Sequence, residues 1–440
     1  KKKNLYVNKD TMYYGKIKKT MHYKPPSLLF NKNLISSVSY YPSFLGMNYG
    51  RTHFLKFFNQ KYECNDDYTV IMSQINFNNT LNNFDNDLFN IMNNVGKNTA
   101  PGFSYLSGKK KQNKSIMLNY LMLIKPQECF TVINCSEKKE LLPIVSLIKK
   151  KKTRLFASCD FHTEVFFRYL FNKAYKRIVN NKRHPVKIGC SLFHGHIRDI
   201  FHYVDDINEM QSADGEAFDS SLRLRLMVKA LHKFLVEADY NSLEVMICLS
   251  FFCAFIKQPR VFQGMIVSFL AVMPSGCFLT AMLNSFVIYY ILSLHFTPDT
   301  ILRNFLLYGD DILNNKKYSQ FFSKVTRWHG LNYVYDKDSI SFLSFQPIEI
   351  AGVMYPKPKD IEKLFATLAF EVNGNTTANK LSMFSSLFVY YYYYFMFDVN
   401  KNVYQNQFTR FLSHHFPDNY RALYKSFVFI ANNLYSCIDD

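Results

Sequence analysis

An α+β fold, with an antiparallel sheet packed on helices, is predicted for this 440-residue chain by three stretches. The first is Asn304–Asn314, NFLLYGDDILN, in which two apolar runs flank Gly309-Asp310. Two strands joined by a tight turn are expected there, because Gly supplies the positive φ that such turns need. The second is Met210–Leu222, MQSADGEAFDSSL, which reads as a strand feeding Asp214, a short turn, and then Asp219. The third is Val272–Asn284, VMPSGCFLTAMLN, a Ser-Gly loop followed by a helix on which Thr280 and Asn284, four apart, share one face.

Composition fits that class. The length admits about three domains at ~150 residues each and a sizeable core. Hydrophobic residues are 48% and charged residues 20%, which excludes a disordered chain. The formal charge is +19, so the expected partner is a polyanion or an anionic membrane surface. Nine Cys occur without a CxxC pair, Cys248 and Cys253 being the nearest neighbours; reduced buried thiols are expected, not a disulfide frame or a zinc site. The 43 Phe, 31 Tyr and the Asn-rich stretch 75–98 read as codon bias toward A and U, as does Tyr390–Tyr394. The opening Lys1-Lys2-Lys3, without Met or an apolar signal core, implies a trimmed start or release from a larger precursor.

Along the chain, the first 200 residues are basic and loop-rich, with Lys clusters at Lys109–Lys111 and Lys149–Lys152. Val261–Pro298 lacks any Lys, Arg, Asp or Glu, and Cys277–Phe296 approaches the ~20 apolar residues of a membrane span. Pro274, Ser275 and Gly276 break the run, and Thr280, Asn284, Ser285 and His295 sit within it, so a buried core helix is expected, with no transmembrane segment. Leu381–Phe397 is read in the same way. The segment Ala351–Pro358 is expected to be a Pro-containing loop and a boundary, with helices from there to the end.

The carboxylates suggest a chemistry. Nucleotidyl transfer needs charge and positioning around an α-phosphate, which two Mg²⁺ ions ~3.5–4 Å apart can supply. Mg²⁺ takes oxygen ligands, usually one or two carboxylates plus phosphate and water. Asp214 at a strand end facing the Asp310-Asp311 turn is a minimal cage of that kind. Asp-Asp pairs also occur at Asp66-Asp67, Asp205-Asp206 and Asp439-Asp440, and these read as solvated turn or terminal carboxylates. His194 and His196 have no partner at metal-ligand spacing and read as loop or core histidines. Ser275 lacks a G-x-S-x-G elbow, which removes a hydrolase reading. Taken alone, Thr280 and Asn284 could simply satisfy backbone in a buried helix, and Lys149–Lys152 could be a solvated face. The weight lies in the order DxxxxD, SGxxxTxxxN, YGDD.

With those blocks the chain resembles the viral RNA-dependent RNA polymerases of the picornavirus-like group. Asp214 and Asp219 match motif A, Ser275, Gly276, Thr280 and Asn284 motif B, and Tyr308, Gly309, Asp310 and Asp311 motif C. Cys135–Arg154 resembles motif F, Thr99–Lys111 a fingers segment, and Gly330–Lys337 motif D. The resemblance implies a right hand: fingers over residues 1–203, palm motif A over 204–224, a fingers insertion over 225–262, palm motifs B to E over 263–356 and a helical thumb over 357–440. It implies template-directed RNA synthesis from ribonucleoside triphosphates on an RNA template, with Mg²⁺, or Mn²⁺ in its place, held by Asp214 and Asp310, and by Asp311 as a weaker or less direct participant. Asp219, Ser275 and Asn284 would read the ribose 2′-hydroxyl, which RNA has and DNA lacks. Lys152 and Arg154, with Lys138 or Lys139, would meet the triphosphate; Gly276 would let its loop change shape; Lys337 would protonate the leaving pyrophosphate. A surface ion pair of Lys337 with Asp336 or Asp338 is the competing expectation. Other implied partners are primer or product RNA, a protein primer and further viral replication proteins, in host cytoplasm at membrane-associated complexes. Two features depart from the group: Glu216 inside motif A, and a motif E candidate, Ser341–Phe345, without the usual basic residue. A reverse transcriptase and a non-catalytic RNA-binding replication protein remain the alternatives.

Overall fold

The computed structural model describes residues 132–138, 140–145, 153–267, 272–336, 340–350, 352–360 and 401–435, together with 18–19, 40–42, 44–45, 54, 88–95, 114, 363, 385 and 388. The principal strands are β1 (Ile133–Glu137), β2 (Leu155–Ser158), β3 (Met210–Gly215), β4 (Arg260–Phe262), β5 (Met265–Val267), β6 (Phe305–Tyr308), β7 (Asp311–Asn315), β8 (Tyr333–Tyr335), β9 (Phe345–Ile350) and β10 (Val353–Pro358). The principal helices are α1 (Phe161–Asn180), α2 (Leu224–Glu237), α3 (Ser242–Ile256), α4 (Thr280–Ser293), α5 (Pro298–Asn304), α6 (Ser319–Trp328), α7 (Lys401–His415) and α8 (Tyr420–Tyr435).

The fold is α+β, and its central sheet is wholly antiparallel, in the order β6-β7-β3-β8. Side chains alternate across it. Ala213, Leu307, Ile312 and Tyr333 face the main core with the helices, whereas Met210, Leu306 and Leu313 pack with Phe342 and Phe201 on the other face. Asp214 stands in line with Ser212 and Met210, so it belongs to the second face. A further four-stranded sheet, β2-β1-β4-β5, is mixed, with β1 parallel to β4.

α3 and α4 are apolar nearly all round, which is the pattern of helices enclosed on every side. α3 is started by a reciprocal cap: Asn241 Oδ1 accepts from Glu244 N–H, and Glu244 Oε2 accepts from Asn241 N–H. α4 is the buried core helix expected from Cys277–Phe296, packed against α2. Among the described residues no single helix is long and apolar enough to cross a membrane; α4 and α5 pass such a test only jointly, bent at 119°. The Phe-rich composition is used in packing, as where Phe167 meets Phe255 edge-on with ring centroids 4.6 Å apart.

One expectation fails. Ala351–Pro358 is not a loop: Val353–Pro358 is strand β10, paired in register with β9 from Ile350↔Val353 to Phe345↔Pro358. Proline cannot donate to a ladder, but this sheet has only two strands, and each has an outer edge where the missing N–H is harmless. Leu381–Phe397, apart from 385 and 388, the segment Thr99–Lys111, Asp66-Asp67, Tyr390–Tyr394 and Asp439-Asp440 lie outside the described residues.

Candidate active site

The β6–β7 hairpin turns on Gly309-Asp310, with Tyr308 paired to Asp311. Gly309 has φ +66 and open space around it, so its backbone conformation, not crowding, requires glycine. Its N–H donates to Ser285 Oγ at 2.6 Å, and that hydroxyl donates to Ala281 O at 2.8 Å, tying the turn to α4. In the next ladder Asp311 lies directly opposite Asp214. The Cβ position of Gly215 is 3.5 Å from Asp310 Cβ, so the end of β3 and the turn adjoin. Like charges directly opposite in a sheet repel, which is a cost that packing alone would not select.

The Ser-Gly loop docks on the edge of β2. Ala157 N–H donates to Ser275 Oγ at 3.2 Å, and Gly276 N–H donates to Ala157 O at 2.8 Å. A Cβ on Gly276 would lie 2.5 Å from both Ala157 O and the Phe156 ring, so close approach excludes any side chain there. Thr280 Oγ1 donates to Pro274 O at 2.5 Å, which holds the loop's entrance to the start of α4. One turn further on, Asn284 Nδ2 donates to Asp219 Oδ1 at 2.9 Å. The other amide atom, Asn284 Oδ1, is buried and has no hydrogen-bond partner among the described residues.

A cavity of about 340 Å³ opens between these elements and is lined by Asp214, Asp219, Asp310, Ser275, Arg154 and Arg260, among others. Burial pushes the Asp219 carboxyl up to about 6; the Asn284 amide, Arg260 and Arg154 oppose that shift, and Asp310 adds to it. Asp214 is raised by burial and by Asp310, with Arg154 and Lys359 pulling the other way. Asp311 is raised to about 6, again mainly by burial, although Leu343 N–H donates to its Oδ2 at 2.8 Å. That donor sits in a two-residue turn, Leu343-Ser344, whose φ values are +55 and +67.

Arg260 was not singled out by sequence reasoning, because nothing marks it off from a surface cation. It is 1% exposed, and its guanidinium donates to Val272 O just ahead of the Ser-Gly loop. Burial pulls it down to about 10, so it stays charged at neutral pH and faces Asp219 across the cavity wall. Ser285 and the Leu343-Ser344 turn were missed as well. Only the SGxxxTxxxNS run could have pointed to Ser285, and the turn has no Gly, Asn or Asp to announce it.

Of the remaining sequence-predicted residues, Arg154 and Lys138 both pair with Glu140 Oε2, at 3.5 and 3.3 Å, and only Arg154 reaches the cavity lining. Lys139, Lys152 and Lys337 lie outside the described residues. Glu216 is exposed, its N–H donates to Asn332 O, and it does not line the cavity. Asp205 pairs with Arg303 and Asp206 caps Asn208 N–H, as turn carboxylates do. His194 Nδ1 meets Asn433 O at 2.9 Å.

Among the described residues no group of three or more His, Cys, Asp or Glu side chains is gathered closely enough to enclose a metal ion. Asp214 and Asp310 instead face an open cavity that also carries a cation and hydroxyl groups. That donor set fits Mg²⁺, which keeps most of its shell as water and substrate phosphate and needs few protein carboxylates. It does not fit a closed structural site.

The model of the viral RNA-dependent RNA polymerase family matches residues 59–383, well over half of the chain and including the whole cavity. No curated protein matches the chain.

Proposed function

Because the chain belongs to the viral RNA-dependent RNA polymerase family, we propose that it extends RNA on an RNA template by two-metal nucleotidyl transfer from ribonucleoside triphosphates. The observation that carries this reading is the register that sets Asp311 opposite Asp214, with Asp310 in the adjoining turn, Asp219 and Ser275 lining the same cavity, and Asn284 bonded to Asp219 behind its wall. The finer placement in the picornavirus-like group rests on the order of motifs A, B and C.

Asp214 and Asp310 are the residues that would hold Mg²⁺ or Mn²⁺, with Asp311 as a weaker participant because its carboxylate already accepts from Leu343. When bound, the ions would favour ionisation of the primer 3′-hydroxyl and neutralise the leaving pyrophosphate. Arg154 would bind the triphosphate through its planar fork, assisted by Lys138, Lys139 and Lys152. Asn284 Oδ1 is a buried acceptor in need of a donor, and a ribose 2′-hydroxyl could supply one. Asp219 fixes the orientation of that amide by accepting from its other end. Ser275 Oγ is the third member of this set. Lys337 is assigned the proton delivered to pyrophosphate. Primer or product RNA, a protein primer and other replication proteins at host membranes complete the proposed setting.

Primer extension on one RNA template, with GTP and dGTP compared, tests the proposal. Efficient GTP incorporation and at least about 10³-fold poorer use of dGTP are expected. Equal use of both would favour a reverse transcriptase. RNA binding with no incorporation in Mg²⁺ or Mn²⁺ would leave a non-catalytic binding protein.

A further inference from the structure

The chain has one tryptophan, and Trp328, at 81% exposure, is the most exposed large apolar side chain among the described residues. Isolated exposed apolar residues are ordinary, so its surroundings decide whether it matters. Trp328 ends α6 and borders a cavity of about 580 Å³, to which Gln320, Ser323, Lys324, Arg327 and Tyr335 also contribute. Gln320, Lys324, Arg327 and Trp328 recur at i, i+4, i+7 and i+8 and so form one stripe on the outer side of the helix. The opposite side, with Phe322, Val325 and Thr326, is buried.

The charge here has one sign. From Ile312 to Tyr335 there is no Asp or Glu, while Lys316, Lys317, Lys324 and Arg327 are all present. Lys324 and Arg327 form no salt bridge with a described residue. More cations stand close behind: the Cβ position of Gly330 is 3.5 Å from Arg223 Nε, and Arg223 and Lys229 help to depress the pKa of His329, whose first cause is burial. The groove is also separate from the catalytic cleft. Val334 is the cross-strand partner of Asp214 and shares its face of the sheet, which puts Tyr335 on the other face. The two cavities have no lining residue in common.

An open indole, two cations without an ion-pair partner among the described residues and several hydroxyl and amide groups in one shallow strip match the parts of single-stranded nucleic acid: a base face, phosphates and base edges. We propose that this groove is a second RNA site, in which a single-stranded segment stacks a base on Trp328 and sets flanking phosphates on Lys324 and Arg327, with Gln320 and Ser323 against base edges. An anionic membrane also attracts Trp and Lys, but it would favour a convex apolar knob, whereas here the indole borders a shallow, open cavity also lined by Gln320, Ser323, Lys324 and Arg327. The site needs none of the Asp214–Asp310 chemistry, so either reading can fail alone.

Because Trp328 is the sole indole, its fluorescence, excited beyond the tyrosine band, reports on this position directly. The full chain would be titrated with a short single-stranded oligoadenylate, with duplex RNA, and with vesicles of phosphatidylcholine and phosphatidylserine. Saturable quenching by the single strand is expected, equally in Asp310→Asn. In the Lys324→Ala/Arg327→Ala pair, checked for folding by circular dichroism, it should weaken about tenfold. Two lost phosphate contacts should also flatten the slope of log affinity against log salt by roughly 1.4. Unchanged Trp328 emission while anisotropy shows the oligonucleotide bound would overturn the proposal. So would a response to vesicles only, or quenching that the Lys324/Arg327 pair leaves unaltered.

Discussion

Two tight turns meet at the Asp310-Asp311 pair, and they are built on opposite terms. Gly309-Asp310 places a glycine at φ +66 and leaves space around it, so the turn is relaxed. Leu343-Ser344 places two ordinary L-residues at φ +55 and +67, a conformation that costs roughly 1–2 kcal/mol for each residue with a Cβ. The second turn closes on itself, since Phe342 and Phe345 exchange both backbone hydrogen bonds, and Ser212 and Ser341 hold its base. What it delivers is one N–H aimed at Asp311 Oδ2. The first turn presents a carboxylate to the cavity, and the second restrains its neighbour. The difference separates Asp310 from Asp311 and gives a physical reason for the weaker part that the resemblance implies for Asp311.

The largest expected effect breaks that pair apart. Asp310→Asn should lower incorporation by about 10³-fold, whereas Asp311→Asn should lower it by only about 10–100-fold; single-turnover extension measures both. Equal losses would mean that the Leu343 contact does not distinguish them. RNA affinity should stay nearly constant in each.

Next in size is a pH effect. Asp311 is raised from 3.8 to about 6, so between those values the folded chain keeps a proton that the unfolded chain has released. Stability therefore falls as pH rises through this window, and the whole cost is present above about pH 6. Asp311→Asn retains an oxygen for Leu343 N–H and removes the charge. It should stabilise the chain by up to ~2 kcal/mol at pH 8 and by almost nothing at pH 4, as read from denaturant midpoints. Stabilisation that is the same at both pH values would contradict the assigned shift.

Gly309→Ala comes third. No described residue lies within 4 Å of the added Cβ, so the expected loss is conformational, ~1–2 kcal/mol, and thermal denaturation should register it. The smallest effect is Ser344→Gly. Relief of the positive φ and the added freedom of the unfolded chain nearly cancel, leaving a gain of about 0.5 kcal/mol. A clear loss of stability would show that the Leu343-Ser344 turn is not strained.

The central elements were legible because their signals are local. Two short apolar runs flanking Gly309-Asp310 specify a hairpin, and the Ser-Gly punctuation before an apolar helix specifies the loop and α4. The pairing of Asp219 with Asn284 was readable only through motif order, since the contact spans 65 positions. Arg260 was not legible, because burial of a cation depends on the mixed sheet that surrounds it, and the parallel pairing of β1 with β4 leaves no local trace. Ala351–Pro358 was misread because proline signals a loop wherever the neighbouring strand is unknown. In a two-stranded ribbon that rule loses its force.

The clasp at Ala157 has its own consequence. Both polar groups of that residue's main chain hold the Ser275-Gly276 segment, and its methyl takes no part. Alanine scanning is blind to such a joint, and so is any survey of variation that looks only at side-chain identity. The position can drift among small residues while the lock between β2 and the Ser275-Gly276 loop stays shut. Proline at 157, which deletes the N–H, is the one coded replacement that would pick it.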